Sequence, residues 1–122
     1  MTSADAFAKL LDLDVNDTPI CLACLSDVVF AIDTNDVRKI NGAIIRVGPD
    51  LWREGLEQPV RLALRRLLRN GIADAKPALD DVDANGARSR IVRSVILRLA
   101  LQLREQAKGD LLKMGFHPWP RV

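Results

Sequence analysis

The sequence predicts an all-α fold, a compact bundle of five or six helices. Apolar residues recur with a helical period along nearly the whole chain, and no segment alternates apolar and polar residues as a half-buried strand does. The core must be aliphatic, because the 122 residues include three Phe, two Trp and no Tyr. A chain of this length is typical of one domain. We therefore predict a single helical domain over residues 1–122, with a Pro/aromatic tail over 116–122.

The first two helices are predicted from their start signals. Ser3 can cap a helix that ends near Leu11. Thr18 followed by Pro19 combines a capping hydroxyl with a residue whose missing N–H costs nothing at a helix start. The helix over about 19–32 is apolar nearly all round, and helices of that kind are buried on most sides. We therefore expect it to be the buried central helix of the bundle.

The third helix is predicted to begin after Asp33 or Thr34, since either side chain can cap it. Gly48 followed by Pro49 is typical of a helix end. The apolar residues between these signals recur at heptad-like spacing, so one stripe should face the core: Val37, Ile40, Ile44 and Val47.

Residues 49–69 form the next helical segment, which is predicted to be interrupted. Gly55 weakens a helix, and Pro59 cannot donate the backbone hydrogen bond to the Gly55 carbonyl. We therefore expect a kink or two separate helices here. The segment should end at Asn70-Gly71.

The C-terminal part is predicted to be a loop followed by a long helix. Residues 72–86 are rich in Asp and are predicted to be a loop, with room for a short helical turn near 77–82. The long C-terminal helix should run over about 87–108 and end at Gly109. Its predicted core stripe is Val92, Ile96, Leu99 and Leu103.

Charge is distributed unevenly between the two halves of the chain. Residues 1–50 carry eight acidic and four basic residues, hence a net charge of −4, and residues 51–122 carry eight acidic and fourteen basic residues, hence +6. Such a split is compatible with a nucleic-acid surface. It is equally compatible with attraction between the halves, within one chain or between two chains.

The sequence favours a soluble, cytoplasmic protein. The only cysteines, Cys21 and Cys24, lie close together in an apolar stretch, as reduced cysteines do. Residues 1–19 contain four aspartates and no basic run followed by an apolar segment, so no secretion signal is expected. The longest apolar stretch, 20–32, is too short to span a bilayer, and no membrane association is predicted.

The sequence gives little support for catalysis. The pair Cys21-x-x-Cys24 opens a helix, where a thiolate is favoured, but no strand precedes it as in known redox folds. As a zinc half-site the pair lacks a second pair of ligands. We interpret both cysteines as small apolar residues of a buried helix. His117, the only histidine, has no nucleophile or orienting carboxylate near it in the sequence.

The acidic residues Asp80, Asp81 and Asp83 are a partial match to a calcium loop. Counted from Asp81, the sixth position is Gly86, but the twelfth is Val92 where such loops need Glu. We interpret these residues as a solvated loop. No catalytic residue, cofactor, metal or small-molecule ligand is therefore predicted.

The arginines indicate a function more clearly, because they recur opposite the core stripes of two helices. On each helix leucines lie among the arginines, away from the core. The first predicted face comprises Arg61, Leu62, Arg65, Arg66 and Arg69, and the second comprises Arg90, Arg93, Leu97, Leu101 and Arg104.

Three interpretations of these faces remain open: solvated surfaces, protein interfaces or nucleic-acid surfaces. Leucines surrounded by arginine favour a protein interface, where Arg is enriched around an apolar centre. Arginine also suits phosphates, but leucines are poor phosphate neighbours and no aromatic residue is interleaved for stacking. A helix-turn-helix pattern over 20–47 is weak, since its turn lacks the usual glycine.

We therefore predict a non-enzymatic interaction protein that binds another protein or itself, as a homodimer or as a subunit or regulator of a larger complex. A nucleic-acid-binding regulator that uses the basic C-terminal half is the alternative.

Overall fold

The computed structural model describes residues 3–113 and confirms the all-α class, with no strand in that range. Six α-helices follow one another: α1 Ser3–Leu10, α2 Leu22–Asp33, α3 Val37–Leu51, α4 Glu57–Arg69, α5 Ala75–Asn85 and α6 Arg90–Lys113. A π-helical turn, Trp52–Leu56, joins α3 to α4 without a break, and a 3₁₀ turn, Gly86–Arg88, precedes α6. The predicted tail over 116–122, including His117, lies outside the described residues.

Helix α6 lies at the centre of the bundle. It contacts α1, α2, α3 and α5, and its buried side chains cover a wide arc of the helix. They are Ile91, Val92, Val95, Ile96, Leu99 and Ala100. Three of the four predicted stripe residues are among them, and Leu103 is half-buried against the core. No helix within residues 3–113 is long and apolar enough to cross a membrane.

Helix α2 is buried along one stripe rather than on most sides, which revises the prediction for 19–32. Leu25, Val28 and Ala31 are buried against α3 and α6, whereas Phe30 is 70% exposed and Leu22 is also exposed. The all-apolar pattern misled because α3 and α6 both pack against the same stripe of α2. The outer apolar side chains of α2 are left on the surface.

The start of α2 also differs from the prediction. Cys21 is the N-cap residue, and the Thr18 hydroxyl donates to the Asp14 carbonyl (2.7 Å) instead of capping the helix. The Ile20 N–H donates to the Thr18 carbonyl (2.9 Å), which closes a tight turn at Pro19. The helix therefore begins three residues later than Pro19 suggests.

Helix α3 is capped by Asp36, whose side chain accepts from the Arg38 N–H (2.9 Å), and not by Asp33 or Thr34. Within its predicted stripe Ile44 and Val47 are buried and Ile40 is half-buried, but Val37 is exposed at the first turn. The end predicted at Gly48 and Pro49 is wrong, because the helix continues to Leu51. Gly48 is instead a packing position: a Cβ there would lie 3.7–3.8 Å from Ile96 and Ala87.

Where the sequence predicts a kink or two separate helices over residues 49–69, the backbone stays helical and the π-helical turn Trp52–Leu56 lies between α3 and α4. Gly55 is required at this turn, because a Cβ on it would overlap the carbonyl oxygen of Pro19. Pro59 lies in the first turn of α4, where proline is tolerated. The segment ends at Asn70 as predicted, with Gly71 at a positive φ of 89°.

The loop predicted over 72–86 is mostly helix α5. Ala75 and Val82 are buried, and Ala78 and Leu79 pack partly against the core. These apolar residues share one face of the helix, and the intervening aspartates obscured that pattern. Lys76 pairs with Asp80 at i,i+4 (2.9 Å) and supports the helix on its exposed side.

Helix α6 begins at Arg90 and continues past Gly109 to Lys113, so neither end agrees with the predicted 87–108. The Ser89 carbonyl accepts from the Arg93 N–H in the first turn of α6 (3.0 Å). Ser89 is buried, and its Oγ–H donates to Asp81 (2.8 Å). Gly109 does not end the helix, because a glycine stops a helix only where the backbone turns left-handed there.

Candidate interaction surfaces

The outer face of α4 presents one leucine among three of the four arginines that the sequence predicts for it. Val60, Ala63 and Leu64 are buried on the inner side of this helix. On the opposite side Leu62 is 53% exposed, and three arginines around it are exposed: Arg65, Arg66 and Arg69. Within residues 3–113 none of these three arginines forms an ion pair. We call Leu62, Arg65, Arg66 and Arg69 the basic α4 face.

Arg61 does not belong to this face, although the sequence places it there. It forms ion pairs with Glu57 (3.8 Å) and with Asp83 of α5. Its guanidinium also lies over the Trp52 ring, 5.8 Å from the ring centroid. Arg61 therefore links α4, α5 and the π-helical turn, and its role in the described structure is to hold these elements together.

The second predicted arginine face, on α6, is divided by its neighbours. Leu97 is half-buried and packs against the core, while Leu101 is 40% exposed. Arg104 is held by Asp33 of α2 (Nε to Oδ1, 2.8 Å). Because α6 is contacted from several sides, its outward arc is narrower than its sequence pattern suggests. A continuous leucine-centred surface is therefore absent from the described part of this helix.

What remains of the α6 face forms the floor of a groove of about 310 Å³. Its lining comes from α1, α3 and α6: Ala4, Asn41, Ile44, Arg90, Arg93, Ser94 and Leu97. Arg90 is exposed at this groove, whereas Arg93 is half-buried and its Nε has no hydrogen-bond partner among the described residues. Ser94 is fixed by its hydrogen bond to Asp5 (2.8 Å).

An apolar and acidic surface that the sequence analysis missed lies on the outer side of α2. Phe30 and Leu22 are exposed there, and Asp27, also exposed, precedes Phe30 by three residues and so neighbours it on the helix surface. Helix α2 contains no basic residue. The signal was present in the sequence, but an apolar helix was interpreted as a buried one. We call Leu22, Asp27 and Phe30 the acidic α2 face.

The first turns of α3 expose the residues that a helix-turn-helix protein would use as readers. Val37, Arg38, Lys39 and Asn41 are all exposed. Helices α2 and α3 are packed together and joined by Thr34–Asp36, the arrangement that the weak pattern over 20–47 anticipated.

The aspartates of the predicted loop have partners in the protein. Asp80 pairs with Lys76, and Asp83 pairs with Arg61. Asp81 accepts hydrogen bonds from Asn85 (2.6 Å) and from Ser89. Within residues 3–113 no group of three His, Cys, Asp or Glu side chains is placed to hold a metal ion. These carboxylates therefore stabilise α5 and its contacts.

Cys21 and Cys24 are free thiols, both half-buried, at the first turn of α2. They contact the core only in part, so the interpretation as fully buried apolar residues overstates their burial.

Comparison of the chain with models of known protein families, with curated proteins and with solved structures finds no match. Functional inference therefore starts from the surfaces themselves.

Proposed function

We propose that this protein is an interaction module that binds a protein surface through the basic α4 face. The observation that carries the proposal is the exposure of Leu62 at the centre of three exposed arginines that form no ion pair within residues 3–113. An apolar centre excludes water, and arginines around it select an acidic rim on the partner. The expected partner surface is therefore apolar at its centre and acidic at its edge.

A second copy of the chain fits that description. The acidic α2 face offers Phe30 and Leu22 as apolar contacts and Asp27 as a carboxylate. In the dimer that we propose, a two-fold axis relates two copies, and the α4 face of each copy covers the α2 face of the other. Such a dimer closes on itself and contains two identical contacts. Self-association is therefore the arrangement to test first.

The energy available from Leu62 sets the size of the expected effect. Burying a whole leucine side chain stabilises by about 1.5–3 kcal/mol, so burying its exposed half contributes about 1 kcal/mol. Two such contacts contribute about 2 kcal/mol, which corresponds to about thirtyfold in the dissociation constant.

Leu62→Gln tests this contact, and Leu10→Gln on α1 is the matched control. Leu10 is 54% exposed and Leu62 is 53% exposed, so both substitutions replace equally accessible leucines. Sedimentation velocity should give a dimer dissociation constant about thirtyfold weaker for Leu62→Gln and nearly unchanged for Leu10→Gln. Equal constants for the two variants would contradict a role for the α4 face, and a wild type that stays monomeric at several hundred micromolar would contradict self-association.

The second candidate function is nucleic-acid binding, favoured by three exposed arginines, Arg65, Arg66 and Arg69. It predicts the opposite ranking of substitutions. Loss of one arginine should weaken binding and reduce its salt dependence, while Leu62→Gln should have little effect. Titration of a DNA duplex at increasing salt separates the candidates, because phosphate contacts weaken steeply with salt and an apolar contact does not.

A further inference from the structure

The two cysteines occupy one end of α2 in a way that the interaction surfaces do not explain. Cys21 is the N-cap residue, in an extended conformation (φ −73°, ψ 108°), and Cys24 lies three residues later in the first turn. Residues at this spacing in a helical turn have Cα atoms about 5 Å apart. That separation is within the range that a disulfide can bridge.

The segment before the pair is fixed by the π-helical turn. Gly55 packs directly on the Pro19 carbonyl and close to Ile20, so it holds the residues that precede Cys21. π-helical turns occur frequently at functional sites because they redirect a helix locally. Here the turn places Glu54 near both thiols.

The two thiols have different environments. The backbone N–H of Cys24, and then its side chain, lower the pKa of Cys21 from its ordinary 9.0. Cys21 is the N-cap residue of α2, and the positive end of the helix dipole at this position also favours the thiolate. The first turn of α2 also contains no acidic residue that would compete with the thiolate for the N–H groups of that turn.

The contact between the two side chains that lowers the pKa of Cys21 raises the pKa of Cys24. The hydrogen bond with Cys21, together with burial, raises the pKa of Cys24 to about 11. Glu54 and Asp50 add to this increase. Cys21 is therefore the thiol that ionises more readily and can act as the nucleophile, whereas Cys24 stays protonated while Cys21 is a thiolate.

We propose that Cys21 and Cys24 form a reversible dithiol–disulfide pair that exchanges with a disulfide substrate, with Cys21 as the attacking thiol and Cys24 as the resolving thiol. The Cys21 thiolate attacks one substrate sulfur. The substrate S–S bond breaks, a mixed disulfide forms on Cys21, and the departing thiolate takes a proton from water.

In the second step Cys24 loses its proton and its thiolate attacks the Cys21 sulfur. The mixed disulfide breaks and releases the second substrate thiol, leaving a Cys21–Cys24 disulfide in the protein. The substrate has then gained two electrons from the protein and two protons, one from water and one that the Cys24 thiol gave up. The protein has an S–S bond in place of the Cys21 thiolate and the Cys24 thiol. Because the helix terminus stabilises the reduced Cys21 thiolate, the pair should be more readily reduced than a structural disulfide.

The test uses single serine variants, and every thiol signal is assignable because the chain contains two cysteines. Treatment with oxidised glutathione should give an intramolecular disulfide in wild type. Cys24→Ser should accumulate a glutathione mixed disulfide on Cys21, since nothing resolves it. Intact-protein mass spectrometry distinguishes these products, and circular dichroism checks that each variant is folded.

Alkylation rates supply an independent measure. At pH 7 the thiolate fraction of a group with a pKa below 9.0 exceeds that of a group near 11 by at least about 100-fold. The weaker nucleophilicity of the more acidic thiolate offsets about tenfold of this difference. Limiting iodoacetamide should therefore modify Cys21 of the wild type at least about tenfold faster than Cys24, and fragmentation mass spectrometry of the peptide that carries both residues measures the ratio. Equal rates, or a wild type that forms no internal disulfide with oxidised glutathione, would overturn the proposal.

Discussion

Gly55 offers the sharpest structural prediction, because the contact that it makes leaves no room for a side chain. In Gly55→Ala the new Cβ would overlap the Pro19 carbonyl oxygen. The colliding atom belongs to the backbone, so it cannot move aside as a flexible side chain can. Overpacking of this kind costs about 3 kcal/mol, and the higher helix propensity of alanine offsets about 1 kcal/mol. The free energy of unfolding should fall by about 2 kcal/mol.

Gly42→Ala is the matched control, since it makes the same chemical change in open space. Gly42 lies inside α3, and a Cβ there would have no atom within 4 Å. The helix propensity of alanine should then raise the free energy of unfolding by about 0.5–1 kcal/mol. Urea denaturation followed by circular dichroism measures both changes, provided that the slope with denaturant is unchanged.

The free energy of unfolding should therefore fall in Gly55→Ala and rise in Gly42→Ala, and the two variants should differ by about 3 kcal/mol. If Gly55→Ala were as stable as wild type, the close approach of the π-helical turn to Pro19 would be wrong. The placement of the cysteine pair beside that turn would then lose its structural basis.

Further substitutions test the packing. Leu25→Asp should abolish the cooperative melting transition, because an unpaired charge would enter the core, whereas Phe30→Asp on the exposed side of α2 should leave the melting midpoint within a few degrees of wild type. Ser89→Ala removes a buried hydrogen bond to Asp81 and should cost about 1 kcal/mol in urea denaturation. Gly109→Ala, in open space within α6, should raise the melting temperature, and a decrease would show that the helix ends near Gly109.

Local sequence patterns predict the fold class and part of the helix layout. The helical period is a property of each segment, so it predicts the all-α class. Gly55 and Pro59 indicate the irregular turn between α3 and α4. Helix α5 could not, because its apolar residues are separated by aspartates whose ion pairs, such as that of Asp83 with Arg61, depend on the tertiary fold. The capping by Asp36 instead of Asp33 depends on where α2 ends.

The exposed face of a helix could be predicted from the sequence where other helices cover only one side of that helix. Helix α4 is covered on one side, so Leu62 and the arginines near it are exposed as their spacing suggests. Helix α6 is contacted by four helices, and Leu97 is half-buried there although it lies opposite the core stripe. The burial of Leu97 depends on how many helices pack against α6, and the apolar period of α6 alone does not predict that number.

The pairing of the basic α4 face with the acidic α2 face of a second copy is the central claim, and a charge exchange tests it most directly. One variant carries Arg65→Glu with Arg66→Glu, and the other carries Asp27→Lys. Each variant alone places like charges at both contacts of the dimer and should sediment as a monomer of 13.5 kDa.

In an equimolar mixture of the two variants, both contacts of the mixed dimer have opposite charges. Sedimentation velocity at low salt should then show a species of twice the monomer mass in the mixture alone. If the mixture remains monomeric under conditions where wild type dimerises, or if either variant dimerises alone as wild type does, the pairing of these two faces is wrong.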